Sequence, residues 1–266
     1  MIFSITKVKK KRNLLSGIIY TNILKRVRKL PRRKFVDFHT SPTSENLTEL
    51  LLFEKYLGFS VVGISFQKLY YDIEKISKSK VKKLFSEYFR KMFPEPFIKI
   101  SIELAHKETK KLIDELFGEI PAIYFYSPSN EKDLESAIRK GYPTVITLEL
   151  PFFVEVFSEK HVNLLKQARY LFIEIKFKEL LNLKPAERAK IFGLMRRKKK
   201  YLEKINDKII FSSGAEDIAQ TISPRSFRCL LALLGVSEST ILKGLSENPH
   251  NLLKCPEEAV IMEIEK

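Results

Sequence analysis

Phe172-Ile-Glu-Ile-Lys-Phe177 carries the period that decides the fold. Ile173, Ile175 and Phe177 fall on one side of an extended strand, Glu174 and Lys176 on the other. The same alternation recurs upstream. Asp37 and His39 alternate with Val36 and Phe38, and Lys99, Ser101 and Glu103 with Ile98, Ile100, Ile102 and Leu104. Thr147 and Glu149 alternate with Ile146, Leu148 and Leu150. In an open sheet covered by helices on both faces, strands read as near-continuous apolar runs. A polar parity on strand after strand fits a closed barrel instead, with the apolar side toward helices and the polar side toward the interior. Charges in so small a space must pair or reach water, and Lys99 and Lys176 can neutralise some of the carboxylates.

Working outward, short β-rich runs alternate with helical stretches from Lys34 onward. Strands are predicted at 34–39, 60–65, 97–103, 122–127, 144–150, 171–177 and 208–213. Helices are predicted at 45–57, near 79–92 and 106–117, and at 130–140, 158–168 and 185–205. Ser44 caps the first helix and Gly58 stops it. The run 259–264 is an eighth strand or a brace. Past Ser213 short capped helices follow: Ser223 with Pro224 opens one that Gly235 ends, and Ser237 and Asn248-Pro249 open two more. The fold class is α/β: a TIM-type β/α barrel of seven or eight strands with a short C-terminal helical cap. Residues 1–33 form a basic N-terminal arm and 34–266 the single barrel domain.

The arm dominates the charge. Of a net +16, residues 1–34 supply twelve Lys or Arg and no acid, leaving 36 basic and 32 acidic groups in the other 232 residues. A polycation attached to a nearly balanced domain implies a polyanionic partner, nucleic acid foremost. An unstructured arm or a mis-called start accounts for the same residues equally well. The apolar stretch 14–24 is interrupted by Thr21 and Asn22 and is too short to span a bilayer, so no membrane partner is expected. An amphipathic helix lying on anionic lipid is the lesser alternative. Two cysteines, Cys229 and Cys255, make no disulfide framework, so a reducing compartment and a cytoplasmic location are expected.

Barrel chemistry gathers at the C-terminal ends of strands, where Asp37, His39, Glu103, His106, Glu149, Glu174, Ser212 and Ser213 all lie. Asp-x-His on the first strand is similar to the His-x-His opening of the polymerase and histidinol phosphatase barrels, which cleave phosphoesters with several metal ions. Four histidines (His39, His106, His161 and His250) are too few for such a cluster, although His39 and His106 with Asp37, Glu103, Glu149 and Glu174 could hold one ion. No metal is expected in the protein, and His39 reads foremost as an imidazole bonded to a barrel carboxylate. No glycine-rich nucleotide loop, Cys-x-x-Cys pair or nucleophile elbow occurs. The turn Ser212-Ser213-Gly214-Ala215 has two readings: a phosphate-binding nest, or a hydrogen-bonded turn that closes the barrel.

For RNA, the candidates are Lys9, Lys10, Lys11, Arg12, Arg32 and Arg33 in the arm, Arg196, Arg197, Lys199 and Lys200 on the long helix, and Arg225 and Arg228 beyond it. On that helix Ile191, Leu194, Met195, Leu202 and Ile205 define an inward face. Lys198 falls on it, its stem packed and its amine snorkelling to water. A solvated charged face explains the same run. Tyr124, Tyr126, Phe152 and Phe153 are spaced as core. Phosphate contacts and shape recognition are therefore expected ahead of base readout.

The order of parts in the last third resembles the thirty-kilodalton protein subunit of archaeal and eukaryotic ribonuclease P. Glu174 on its strand, Ser212-Ser213-Gly214-Ala215, Pro224-Arg225, Leu233-Leu234-Gly235, Ser246 and Asn248-Pro249 carry the likeness. It spans 35–254 and is specific from about Leu171 to Leu253. One departure stands out: Ile222 occupies the place, two before the proline, where the family commonly has arginine. The resemblance implies a barrel with a degraded metal site that assists RNA-catalysed removal of the 5′ leader from precursor tRNA. The isolated protein is then expected to be without activity, its rim residues Asp37, His39, Glu103, Glu149 and Glu174 vestigial. It also implies a small ferredoxin-like protein subunit, other ribonuclease P proteins, the catalytic RNA and precursor tRNA as partners, with Mg2+ serving the RNA. The alternative is a free-standing metal-dependent phosphoesterase of the polymerase and histidinol phosphatase type.

Overall fold

A computed structural model describes residues 34–43, 45–66, 97–101, 122–141, 144–168 and 170–254. The barrel unit begins at Phe35. Its strands are β1 (Val36–Thr40), β2 (Val61–Ser65), β3 (Phe97–Ser101), β4 (Ala122–Tyr126), β5 (Val145–Glu149), β6 (Phe172–Lys176) and β7 (Ile209–Ser212). All seven sit where the alternation places them. Each pairs in parallel with the next, in the order β1 to β7. The described helices are α1 (Leu47–Leu57), α2 (Glu131–Lys140), α3 (Leu150–Val156), α4 (Glu159–Gln167), α5 (Lys178–Asn182), α6 (Pro185–Lys204), α7 (Pro224–Leu233), α8 (Glu238–Leu242) and α9 (Asn248–Leu253).

The caps follow local chemistry. Asn130 accepts the Asp133 N–H at 3.0 Å to open α2, and Ser223 accepts the Ser226 N–H at 3.1 Å to open α7. Gly58 ends α1 at φ +101° and Gly235 follows α7 at φ +81°, conformations that only glycine adopts without strain. α1 begins two residues later than expected, with Asn46 as its cap residue; Ser44 lies outside the described residues. Two helices escape the sequence reading, α3 and α5. Leu150-Pro-Phe-Phe-Val-Glu-Val156 is rich in aromatic and β-branched residues that mimic a strand, yet Pro151 at the first turn suits a helix. The predicted helices near 79–92 and 106–117 and the candidate strand 259–264 lie outside the described residues.

Closure combines a short strand contact with a helical wedge. At the C-terminal ends, Thr40 bridges Ala215 and the Ser41 N–H meets the Ala215 carbonyl at 2.7 Å. At the opposite ends a π-helical turn, Lys243–Glu247, and α9 pack against both β1 and β7. Asn248 Nδ2 donates to the Asn206 and Ile209 carbonyls at 2.8 and 2.7 Å, and Leu252 enters the interior. Gly244 lets the turn lie against Phe211, whose ring a Cβ would meet at 2.5 Å. Ser237 opens the tail as expected, accepting the Thr240 N–H at 3.3 Å, but no separate helix opens at Asn248, because the chain runs unbroken through this π turn.

Two apolar layers sandwich the strands. Ile146, Leu148, Ile173, Ile175, Ile209 and Phe211 join the helices α2 to α8 in the outer layer. Val36, Phe38, Val61, Phe97, Ile123, Phe125, Val145 and Ile210 fill the interior floor with Leu252. At the floor the inward parity is therefore apolar, and it turns polar only toward the C-terminal ends. Gly63 is required there, because a Cβ would come within 2.4 Å of both the Phe38 carbonyl and the Phe97 ring.

Candidate functional site

Above the apolar floor, the strands deliver Lys99 from β3, Thr147 from β5, Glu174 from β6 and Ser212 from β7. Each lies two residues after an apolar floor residue of its own strand, as period two demands. β1 departs from this. Val36 pairs with Val61 and Asp37 with Val62, but Thr40 pairs with Ile64, so β1 contains one extra residue, a bulge. Phe38 points inward like Val36, onto Phe97 at 5.0 Å between ring centroids, and the extra residue lets His39 join the interior too, beside Phe125 and Glu174. This corrects the expected inward pair of Asp37 and His39 backed by an outward Val36 and Phe38. Asp37 shares the outward row with Val62, toward α1. Its Oδ1 accepts the His39 N–H at 3.3 Å and the Ser213 N–H at 3.1 Å.

The interior site centres on the Lys99 ammonium. It donates to Glu174 Oε2 and to His39 Nδ1, the latter at 2.8 Å. Phe38 and Phe125 present their rings to it at 4.6 and 4.8 Å. Thr147 Oγ1 donates to Glu174 Oε2 at 2.5 Å and Ser212 Oγ to Oε1 at 2.6 Å. Burial disfavours the Glu174 charge, but the Lys99 ammonium beside it outweighs that and holds the carboxyl well below its usual range. Burial, with Lys99 beside it, pushes the His39 imidazole down to about 3. Lys99 is lowered by burial to about 8, Glu174 opposing the shift. At neutral pH the site therefore holds an ammonium, a carboxylate and a neutral imidazole. The 2.8 Å contact makes Nδ1 the acceptor and leaves the proton on Nε2, which lies 3.1 Å from Ser41 Oγ. In that tautomer the 3.5 Å approach of Nδ1 to Glu174 is an electrostatic contact and not a hydrogen bond.

This geometry does not fit a metal centre. The imidazole lone pair and the carboxylate, the two donors that reach the centre, are both committed to Lys99. Glu149 stays at the rim, ion-paired with Lys176 at 2.5 Å. Glu103 and His106 lie outside the described residues. A second group, Glu131, Glu135 and His161, brings ligand atoms within 4.8 Å of one another. There His161 Nδ1 accepts the Ser158 N–H at 3.1 Å, which places the ring proton on Nε2, and Lys160 holds Glu135 at 2.5 Å.

The turn after β7 is a seam. Gly214 N–H donates to the His39 carbonyl at 2.9 Å and Ala215 N–H to Ser213 Oγ at 3.0 Å. With the Ser213 N–H on Asp37, two amides of the turn join β7 to β1 and the third is bonded within the turn, so none of the three is left for a phosphate.

The basic candidates separate by partner. Arg196 donates from Nε and Nη2 to the Leu233 carbonyl at 3.3 and 3.2 Å, capping the end of α7. Lys198 donates to the Phe157 carbonyl at 2.5 Å, so its amine serves the end of α3 where snorkelling to water was expected. Lys199 lies along Gly235, and Arg228 pairs with Glu238. Arg197, Lys200 and Arg225 are exposed, Lys200 with its amine 5.0 Å from the Tyr201 ring. Lys9, Lys10, Lys11, Arg12, Arg32 and Arg33 lie outside the described residues.

Sequence reasoning does not place Lys99 among the site residues and overlooks Glu54 altogether. Lys99 is visible as a lone cation in the apolar run Phe97-Ile-Lys-Ile. Glu54 continues the buried stripe Leu47, Leu50, Leu51 at helical spacing. It is fully buried and close enough to Asp37 for the two charges to repel.

Among the described residues no helix is long and apolar enough to cross a membrane. A family model described as RNase P subunit p30 matches residues 34–258. No curated protein matches the sequence. A chain in the cryo-EM structure of archaeal ribonuclease P with mature tRNA is similar at 19% identity and TM-score 0.56, covering 82% of this chain and 89% of that one. The apo crystal structure of an Agrobacterium tumefaciens protein is similar at 13% identity and TM-score 0.45, covering 85% and 97%.

Proposed function

Because this chain belongs to the RNase P subunit p30 family, we propose that it assists the catalytic RNA of ribonuclease P in removing the 5′ leader of precursor tRNA. The structural observation that carries the reading is the self-contained interior. Lys99, Glu174, His39, Thr147 and Ser212 satisfy one another and are buried, so this cluster presents no free general base or metal ligand to a substrate. Chemistry then belongs to the RNA, whose cleavage step Mg2+ serves, and the isolated chain is without activity.

The protein's part is to hold folded RNA and offset phosphate repulsion. The arm and the exposed Arg197, Lys200 and Arg225 supply cations for that task. Its partners in this reading are the catalytic RNA, precursor tRNA, a small ferredoxin-like protein subunit and other ribonuclease P proteins, in the cytoplasm.

The test is purification of the C-terminally tagged chain from its own cells, with sequencing of the bound RNA. Enrichment of one structured RNA that, with its co-purified proteins, trims precursor tRNA is the expected outcome. Recovery free of RNA, or an RNA-free chain that hydrolyses a simple phosphodiester, overturns the reading.

A further inference from the structure

The interior cluster has the composition of a cation site, and the chain supplies the cation itself. An imidazole nitrogen and a carboxylate oxygen are donors that divalent transition metals take readily. Here both converge on Lys99 Nζ, at 2.8 Å from His39 Nδ1 and in contact with Glu174 Oε2. Both donors are oriented from behind, as metal ligands commonly are. Thr147 and Ser212 fix the carboxylate and Ser41 sits at the far ring nitrogen of His39. Phe38 and Phe125 close further sides of the ammonium.

We infer that the Lys99 ammonium occupies the position of a metal ion, and that shortening Lys99 turns the barrel interior into a divalent-cation site ligated by His39 and Glu174. Two physical arguments support this. Without Lys99, Glu174 is a buried carboxylate with no charge partner, so an entering cation gains the whole interaction. The missing side chain also leaves space next to the same two donors, bounded by the Phe38 and Phe125 rings.

The inference concerns the protein alone and is tested without RNA. Chelator-treated wild type and Lys99→Ala are titrated with Zn2+ by calorimetry and by thermal unfolding. Lys99→Ala is expected to take one ion per chain at this site and to melt at rising temperature as Zn2+ increases. Adding His39→Ala removes that ion, and wild type shows no uptake that depends on His39. A folded Lys99→Ala that binds nothing, or a wild type whose stoichiometric ion is lost in His39→Ala, overturns the inference. If Lys99→Ala does not fold, nitrogen NMR of the wild type decides. An unprotonated His39 Nδ1 at neutral pH is expected, and a protonated Nδ1 overturns it.

Discussion

The ammonium of Lys99 and the carboxylate of Glu174 meet inside the barrel with neither side chain exposed. Removing one member strands the other in a medium that solvates it poorly. Glu174→Gln is expected to destabilise the fold by about 3–5 kcal/mol. The double variant Glu174→Gln/Lys99→Met, which removes both charges, recovers most of that loss. Chemical denaturation of the single and double variants measures the coupling.

Asp37 and Glu54 predict a stability that falls as pH rises. Burial raises Asp37 to about 6, and burial with Asp37 nearby raises Glu54 well above 4.5. Glu174 and Lys99 are the other titratable groups whose charges bear on Asp37, while His39 reaches it only through its backbone N–H. One oxygen of Asp37 and both of Glu54 have no hydrogen-bond partner. The folded state therefore binds more protons than the unfolded one between the two sets of values. The contribution of this pair is fully present below the unfolded carboxyl range and is lost as pH rises through the folded values. Glu54→Gln removes the burden, so its stability gain over wild type grows from about pH 4.5 upward. Urea unfolding of both proteins between pH 4 and 8 checks the slope, and a gain that shrinks with pH contradicts the assignment.

Gly63 predicts a steric limit. A Cβ there meets the Phe38 carbonyl and the Phe97 ring at 2.4 Å, and the backbone partner cannot yield without disturbing the bulge. Gly63→Ala is expected to lose about 1–3 kcal/mol, read as a fall in melting temperature.

The basic residues predict a division between stability and RNA binding. Arg197→Ala with Lys200→Ala leaves folding unchanged and flattens the salt dependence of RNA affinity, by about 0.7–0.9 in log–log slope for each phosphate no longer neutralised. Arg196→Ala instead costs about 1 kcal/mol of stability, because it uncaps the Leu233 carbonyl. Deleting residues 1–33 weakens RNA binding and lowers the salt slope further. An unchanged slope removes the arm from the binding surface.

The seven strands and most described helices were legible because each is a local decision. Period-two alternation needs only neighbouring residues, and Ser223, Pro224, Gly58 and Gly235 act within one helical turn. The reading of Ser212 to Ala215 as a seam was open in sequence, since a nest and a seam use the same amides. Only the approach of His39 and Asp37 across the barrel resolved it.

By itself, then, the sequence determined a parallel β/α barrel, the basic character of residues 1–34 and the chemical types available at the rim. The tertiary structure alone decided which of those groups meet. Val36 faces inward, which leaves Asp37 toward Glu54, and one extra residue after Asp37 shifts the parity of β1 and sends His39 to Lys99 and Glu174. No local signal announces such a bulge, because its benefit is realised only when β7 arrives. The Ser213 amide then finds Asp37, and the His39 carbonyl finds Gly214. For the same reason Lys99 reads in sequence only as an interior cation able to neutralise some carboxylate, and β6 decides that the carboxylate is Glu174. Burial makes that pairing compulsory.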